Sequence, residues 1–243
     1  MPELLSIIVP VYNEVSTIQQ VIERLLEVRL PVAREIVVVD DGSTDGTGAL
    51  LDRVPPRPGM LFVLHAAVNG GKGSAVRKGL GHARGTIVAI QDADLELDPE
   101  QLAELVQPIL AGEAEVVYGS RFLAGRPSGP WLSIAANRLL TAATNRLFGG
   151  GLTDMETCYK IMRADVAHSL ALEANRFEIE PEITAKLLRR GHRILERPVR
   201  FVARNRASGK KIGWRDGVHA LWVLFKYRFF SPQRHTEEIQ RGR

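Results

Sequence analysis

Two carboxylates stand two residues apart in Gln91-Asp92-Ala93-Asp94, directly after the apolar run Thr86-Ile87-Val88-Ala89-Ile90. In an extended chain, residues i and i+2 point to the same side. Asp92 and Asp94 can therefore face one point beyond the carboxyl end of a strand. Open α/β sheets take their ligands at that edge. Two hard oxygen donors there suit Mg²⁺ or Mn²⁺, ions commonly held by one or two carboxylates together with substrate phosphates. A helix-capping turn accounts for Asp98 before Pro99-Glu100-Gln101. It leaves Asp92 and Asp94 without a role.

Three further clusters lie at equivalent places. Pro10-Val11-Tyr12-Asn13-Glu14 ends the first apolar run. Tyr12 has a ring to stack on a base, and Glu14 can hold a base or ribose; equally, Asn13 can cap a helix. Because Pro10 cannot donate to a ladder, the strand is expected to stop there or to run along an edge. Asp40-Asp41-Gly42-Ser43-Thr44-Asp45 ends the second run. Acids at that position beside a helix start suit a nucleoside, though an Asx or Ser turn fits the same residues. Asn69-Gly70-Gly71-Lys72-Gly73-Ser74 is a glycine-rich entry to a helix, where backbone N–H groups and Lys72 would form an anion site. It is no Walker loop, because Ala66 stands where the first Gly is needed. A plain flexible turn is the alternative. The histidines have no ligand spacing, and Cys158 reads as a small buried apolar residue.

The elements that must position these residues follow from periodicity. Leu4 to Pro10, Glu35 to Val39, Met60 to His65, Thr86 to Ile90 and Glu115 to Gly119 read as buried strands. Helices are predicted between them, the first with Ile18, Val21, Ile22, Leu25 and Leu26 on one face and a Ser16/Gln19 capping box. Further helices are expected from near Asp45, over Gly73 to Arg84 and over Pro99 to Leu110. This alternation indicates an α/β fold: a mostly parallel central sheet with helices on both faces. After about residue 120 the pattern fades into helices, loops and one more strand near Ile194 to Val202.

Composition is that of a globular protein, 45% hydrophobic and 25% charged over 243 residues. The single cysteine excludes an internal disulfide. Met1-Pro2-Glu3 lacks the basic start of a secretory leader, and no run reaches the length of a bilayer span. Charge is uneven. From Arg189 to Arg243, Lys and Arg outnumber acids 15 to 4, a net of +11, so with +4 overall the remainder carries −7. A basic tail on an acidic body implies an anionic partner.

Together the motifs resemble family 2 glycosyltransferases of GT-A fold, and within them the polyprenyl-phosphate (dolichol-phosphate) mannosyl- and glucosyltransferases. The resemblance rests on Ile8 to Glu14, Val39-Asp40-Asp41-Gly42-Ser43, Gly71-Lys72-Gly73 and Asp92-Ala93-Asp94, in order and spacing, with Gly119-Ser120-Arg121, Asp154 and Ser208 to Lys211 fitting the subgroup. It covers the chain to about Tyr227. It implies that Pro10, Tyr12, Glu14 and Asp41 surround the nucleoside of a nucleotide-diphosphate sugar. Lys72 joins them as a donor-binding residue. Asp92 would contact nucleotide and metal, Asp94 would be the main Mg²⁺ or Mn²⁺ ligand, and Glu96 falls where relatives place a Gln-type ligand. Arg121 would lie near the reacting phosphates, with Arg138 on the acceptor side. Arg206, Lys210 and Lys211 belong to a loop expected to close over the donor diphosphate. The family implies inversion at the anomeric carbon. A lipid phosphate acceptor is already an anionic nucleophile; a hydroxyl acceptor would need a base, for which Asp154 is the candidate, with a structural cap as its other reading.

The implied division is a glycosyltransferase domain over 1–213, nucleotide-binding to about 120 and acceptor-binding beyond, followed by a basic amphipathic segment over 214–243. Trp214 to Phe230 mixes Trp, Phe and Leu with basic residues, as interfacial membrane helices do, or else docks on the protein's own core. Trp131 to Phe148 is similar and would line the acceptor entrance. The expected setting is the cytoplasmic face of a membrane, bound peripherally or through a membrane-embedded partner protein. The absence of a Q-x-x-R-W motif weighs against a polysaccharide-hydroxyl acceptor. A nucleotidyltransferase would need a Gly- and Arg-rich loop where Tyr12-Asn13-Glu14 stands. Nucleic acid is not expected as a partner, since the tail's aromatics fall on one helix face instead of forming stacking platforms.

Overall fold

Six of the seven strands run the same way, and their shared carboxyl edge is where the acids collect. The computed structural model describes residues 2–125, 127–203 and 214–230. Strands β1 (Leu4–Val11), β2 (Ala33–Asp40), β3 (Leu61–His65), β4 (Ile87–Ile90), β5 (Val116–Ser120), β6 (Lys160–Arg163) and β7 (Ile194–Pro198) form one sheet in the order β3-β2-β1-β4-β6-β5-β7. The β3-β2-β1-β4 half is parallel, β6 runs antiparallel between β4 and β5, and β7 is parallel to β5. Helices α1 (Ile18–Glu27), α2 (Thr47–Leu51), α3 (Lys72–His82), α4 (Leu102–Leu110), α5 (Trp131–Phe148), α6 (Ala164–Ser169), α7 (Ile179–Arg189) and α8 (Trp214–Phe229) complete it.

The predicted first half forms within a residue or two of each expected end. The centres of strands β1, β2 and β4 are apolar because both faces of a parallel sheet are covered, and Ile7, Ile8, Val9, Ile36 to Val39 and Ile87 are fully buried. Helix α1 buries Ile18, Val21, Ile22 and Leu25, the predicted stripe. Its cap differs: Thr17 holds the N-cap position, without a side-chain cap bond, so Ser16 and Gln19 form no capping box. Pro10 also differs from expectation. It lies inside β1, between β2 and β4, paired in register with Val39. The reason is parity. Ile8 bonds toward β4, accepting from the N–H of Gln91, and Pro10 shares that side, but β4 has ended at Ile90. No neighbour asks Pro10 for an N–H.

The second half contains β6, which the sequence pattern does not reveal. Four residues bounded by Lys160 and Arg163 carry no strand signature. Lys160 is nonetheless fully buried and paired with Glu180 of α7. Beyond β7, the expected strand shrinks to a single bridge between Leu97 and Phe201. Helix α8 packs on α5 and α7 around Leu140, Leu152, Met155, Ala185, Ala220, Leu224 and Tyr227. Its apolar residues therefore divide between two faces: Leu224 and Ala220 dock on the protein, while Val218, Leu221, Trp222, Phe225, Phe229 and Phe230 are exposed. The single apolar face read from the sequence is corrected accordingly. Among the described residues no helix is long and apolar enough to cross a membrane.

Candidate active site

The loops after β1, β2 and β4 meet at the sheet's carboxyl edge and are tied to one another. Asn13 adopts a left-handed backbone (φ 53°), its N–H donating to Ser43 Oγ at 2.9 Å and its Oδ1 accepting from the Thr44 N–H at 2.8 Å. This locks the first loop to the second, and it is a loop lock in place of the helix cap considered from sequence. Glu14 is buried, and Thr17 Oγ1 reaches both its carboxylate, at 3.0 Å, and the Ala93 carbonyl, at 2.8 Å. The first loop thereby holds the Asp-Ala-Asp turn. Pro10 and Tyr12 are half-buried nearby.

Asp41 is buried, and the glycine loop occupies its carboxylate. Its oxygens accept from Asn69 Nδ2 (2.8 Å), Gly70 N (3.0 Å) and Gly71 N (2.6 Å). As described, Asp41 shapes the loop from beneath. Gly71 has φ +95°, and a Cβ there would sit 2.6 Å from the Asn175 carbonyl oxygen. Glycine is thus demanded by backbone packing against the segment before α7. The Ser74 N–H also goes to that carbonyl, at 2.9 Å, so one of the N–H groups expected to cradle an anion is occupied.

Lys72 does not stand free for a phosphate. Its Nζ lies 2.7 Å from Asp92 Oδ1 and 2.8 Å from Glu180 Oε1. Glu180 in turn pairs with Lys160. Charges alternate along this chain: Asp92, Lys72, Glu180, Lys160. Burial acts to raise the Asp92 carboxyl, but the Lys72 ammonium outweighs it, and the net shift is downward. Burial acts to lower Lys72, yet Asp92 leads the charges that hold it well above the usual lysine range. Asp92 is therefore an ionised, oriented carboxylate. Glu180 and Lys160 escaped sequence reading because they belong to α7 and β6, far along the chain.

After Asp92 the chain turns sharply. Leu95 sits at φ +60°, a strained value for leucine, and Asp94 Oδ1 accepts the Glu96 N–H at 3.1 Å. Tyr159 braces the turn from β6, its hydroxyl bonding Gln91 Oε1 at 2.6 Å and the Asp98 carbonyl at 2.8 Å. Asp98 caps the following helical turn through the Glu100 N–H, as predicted. Cys158, beside Tyr159, is buried, and burial pushes its thiol well up, which leaves it inert.

Among the described residues, no three His, Cys, Asp or Glu side chains gather into a cation cage. The pair alone fits a divalent ion of the kind that arrives with a diphosphate. Mg²⁺ takes one or two carboxylates and completes its shell with phosphates and water. Lys72 occupies one oxygen of Asp92, so Asp94 would be the principal donor to such an ion.

On the other side of β4, Arg121 follows β5 and is clamped by Asp154. Arg121 Nε lies 2.6 Å from Oδ2, its second nitrogen 2.7 Å from Oδ1, and its backbone N–H 3.0 Å from Oδ2. Burial acts to lower Arg121, and Asp154 raises it further than burial lowers it. Asp154 has no exposed side-chain surface, and its own loop is held by Glu196 through the Asp154 N–H (3.0 Å) and the Thr153 N–H (2.8 Å). With both oxygens engaged, this carboxylate orients an arginine; it is not arranged as a free base. Arg121 also lies over the Phe201 ring, at 5.3 Å, and Arg138 of α5 over Phe122, at 5.4 Å. Arg206, Lys210 and Lys211 lie outside the described residues.

A mostly parallel α/β sheet with a braced Asp-x-Asp turn at its switch point, flanked by an acid-clamped arginine, defines a GT-A glycosyltransferase. The chain belongs to glycosyl transferase family 2, whose model matches residues 6–170. It is 30% identical over 216 residues to the polyprenol monophosphomannose synthase of Mycolicibacterium smegmatis, covering 85% of this chain and 80% of that protein. It is 31% identical over 217 residues to the undecaprenyl-phosphate mannosyltransferase of Micrococcus luteus, covering 85% and 86%. Among solved structures, glucosyl-3-phosphoglycerate synthase from Mycobacterium tuberculosis, in complex with Mn²⁺, UDP and glucosyl-3-phosphoglycerate, matches with a TM-score of 0.72 at 20% identity, over 95% of this chain and 82% of that one. That likeness is one of fold.

Proposed function

We propose that this protein transfers a hexose, with inversion, from a nucleotide-diphosphate sugar such as GDP-mannose or UDP-glucose to a polyprenyl phosphate at the cytoplasmic face of a membrane. The observation that carries the reading is the Asp92–Asp94 turn, held on the same sheet edge that carries the Arg121–Asp154 pair. An oxygen of the lipid phosphate forms the bond to the anomeric carbon, and the bond to the diphosphate breaks with its electron pair leaving on the nucleotide. A divalent ion, when bound, neutralises charge on that leaving group. Asp94 and Asp92 are the groups to hold it, with Lys72 fixing Asp92. Arg121, aimed by Asp154, orients the anionic acceptor, and Arg138 stands on the acceptor side. Pro10, Tyr12 and Glu14 line the nucleoside end, and Arg206, Lys210 and Lys211 are assigned to the donor diphosphate. The similarity to two polyprenyl-phosphate mannosyltransferases supports the acceptor class.

Asp154→Asn weakens the clamp on Arg121 without removing the guanidinium. The expected result is a fall in kcat of about a hundredfold, the scale of an ångström-sized misplacement, with metal affinity unchanged. Steady-state kinetics beside Mn²⁺ titration checks this, and loss of metal binding would count against the assigned role.

The membrane part of the proposal rests on the exposed faces of α5 and α8. Trp131, Leu132 and Leu139 on one and Leu221, Trp222 and Phe225 on the other are at least 40% exposed, with Arg138, Lys226 and Arg228 among them. Apolar and aromatic residues mixed with cations suit an anionic bilayer surface. Trp222→Glu with Phe225→Glu is expected to lower binding to phosphatidylglycerol vesicles about tenfold or more while leaving thermal stability unchanged. Unchanged vesicle sedimentation would remove the membrane from this face. The overall reading is tested by a screen of labelled GDP-mannose and UDP-glucose, with Mn²⁺ and a short polyprenyl phosphate. Label retained in water with every donor would refute it.

A further inference from the structure

Glu156 has no part in the reaction outlined above, yet it stands in the Asp154 loop within electrostatic reach of Arg121 and of the Lys160–Glu180 pair. Its Oε1 is buried and finds no hydrogen-bond partner among the described residues, although the residue as a whole is partly exposed. Polar atoms buried in this way are rarely left alone, and an unpaired one next to a ligand site points to a ligand. The charged groups facing it come from four elements: Glu180 of α7, Lys160 of β6, Arg121 after β5, and Asp154 in its own loop. These form two ion pairs, Arg121 with Asp154 and Lys160 with Glu180, and so sum to zero charge. An ionised Glu156 would leave this cluster net negative, unfavourable for an anionic acceptor held at Arg121. A neutral one would offer a hydrogen-bond donor next to an arginine whose charge Asp154 already offsets.

We propose that Glu156 recognises the acceptor as a carboxylic acid, donating its O–H to a phosphate oxygen beside Arg121. This deepens the reading of a phosphate acceptor and rests on it. Burial, then Glu180, push the Glu156 carboxyl up to about 7, so near neutrality the acid form is substantially populated. The sign follows: below that value the O–H is present, and above it the donor is lost and a repelling charge appears. Acceptor affinity is therefore expected to fall as pH rises through neutrality. No proton leaves the acceptor in this role, which separates it from general base catalysis.

The two roles predict opposite outcomes for Glu156→Gln. Glutamine keeps a neutral donor at every pH, so it should preserve acceptor binding and abolish its pH dependence. The experiment is calorimetric titration of the full chain with farnesyl phosphate at pH 6 and pH 8, for the wild type, Glu156→Gln and Glu156→Ala, with circular dichroism to establish folding. Relative to Glu156→Gln at the same pH, the wild type is expected to lose about tenfold in affinity between the two values, as a group titrating near 7 requires. Glu156→Ala should bind about tenfold more weakly than Glu156→Gln at both. An identical pH trend in the wild type and Glu156→Gln would overturn the inference, as would Glu156→Gln binding no better than Glu156→Ala. Failure of the wild type to bind farnesyl phosphate at either pH would overturn the phosphate-acceptor reading and this inference with it.

Discussion

Asp94→Ala is expected to abolish metal-dependent transfer, with a loss of about a thousandfold or more in kcat/KM and no loss of fold. Asp94 lies past the end of β4, partly exposed, in a turn whose shape is set by other residues: Tyr159 bonding Gln91 and the Asp98 carbonyl, Thr17 bonding the Ala93 carbonyl, and Leu95 in its left-handed conformation. Removing the side chain therefore leaves the turn's scaffold in place. In the proposed site it would remove the principal oxygen donor, because Asp92 already gives one oxygen to Lys72 at 2.7 Å. Charge developing on a diphosphate leaving group is large, and losing an ion that neutralises it costs several kcal/mol of transition-state stabilisation, where about 4 kcal/mol is roughly a thousandfold. The check pairs turnover at saturating Mn²⁺ with Mn²⁺ binding by electron paramagnetic resonance. Near-normal turnover by Asp94→Ala in the presence of chelator would contradict the assignment.

Lys160→Met carries the largest expected effect on stability. Lys160 is wholly buried at the start of β6, where its ammonium contacts Glu180 and bonds the carbonyls of Met155, at 3.1 Å, and Thr157. Methionine matches the length of the stem, so little packing is lost. What is lost is the countercharge: Glu180 keeps Lys72 alone, and the carbonyls of Met155 and Thr157 lose a donor. Breaking one side of a buried pair costs about 3–5 kcal/mol, which in a chain of this size corresponds to a fall of roughly 10 °C in Tm. The double variant Lys160→Met with Glu180→Gln removes the stranded charge and is expected to recover part of that loss. Calorimetric Tm values for the two variants decide it. A single variant as stable as the wild type would show that the alternating chain from Asp92 to Lys160 contributes nothing to the fold.

Strands β1, β2 and β4 were legible from sequence because their centres are buried on both faces and so read as apolar runs, with acids close after each. The Asp92–Asp94 turn was legible for the same reason: carboxylates directly after such a run have no packing role. The second half was less so. Strand β6 is four residues long and starts with a buried lysine, and its pairing with β4 and β5 rests on contacts more than forty residues distant in sequence. Buried charges become readable only once their partners are known, and Glu180 and Lys160 belong to different elements. The same holds for Lys72 and Asp41. Both were read as donor contacts from local motifs, and both are seen to hold the site's own parts, Lys72 to Asp92 and Glu180, Asp41 to the glycine loop. Asp154 was recognised as important, but its bidentate pairing with Arg121 became visible only through tertiary structure. Helix α8 was read as either a membrane face or a core face; its buried Leu224 and exposed Trp222 make it both a core helix and an exposed apolar surface.

The central claim is that the acceptor is a phosphate. The direct test incubates the purified chain with Mn²⁺ and radiolabelled donor, either GDP-mannose or UDP-glucose, and offers a short polyprenyl phosphate or the matching polyprenol in parallel. Label passing into the organic phase with the phosphate and remaining in water with the alcohol is the predicted result, since Arg121 is set for an anion and Asp154 is committed to Arg121 and not free to act as a base. Equal transfer to the alcohol, or transfer to neither, would contradict it.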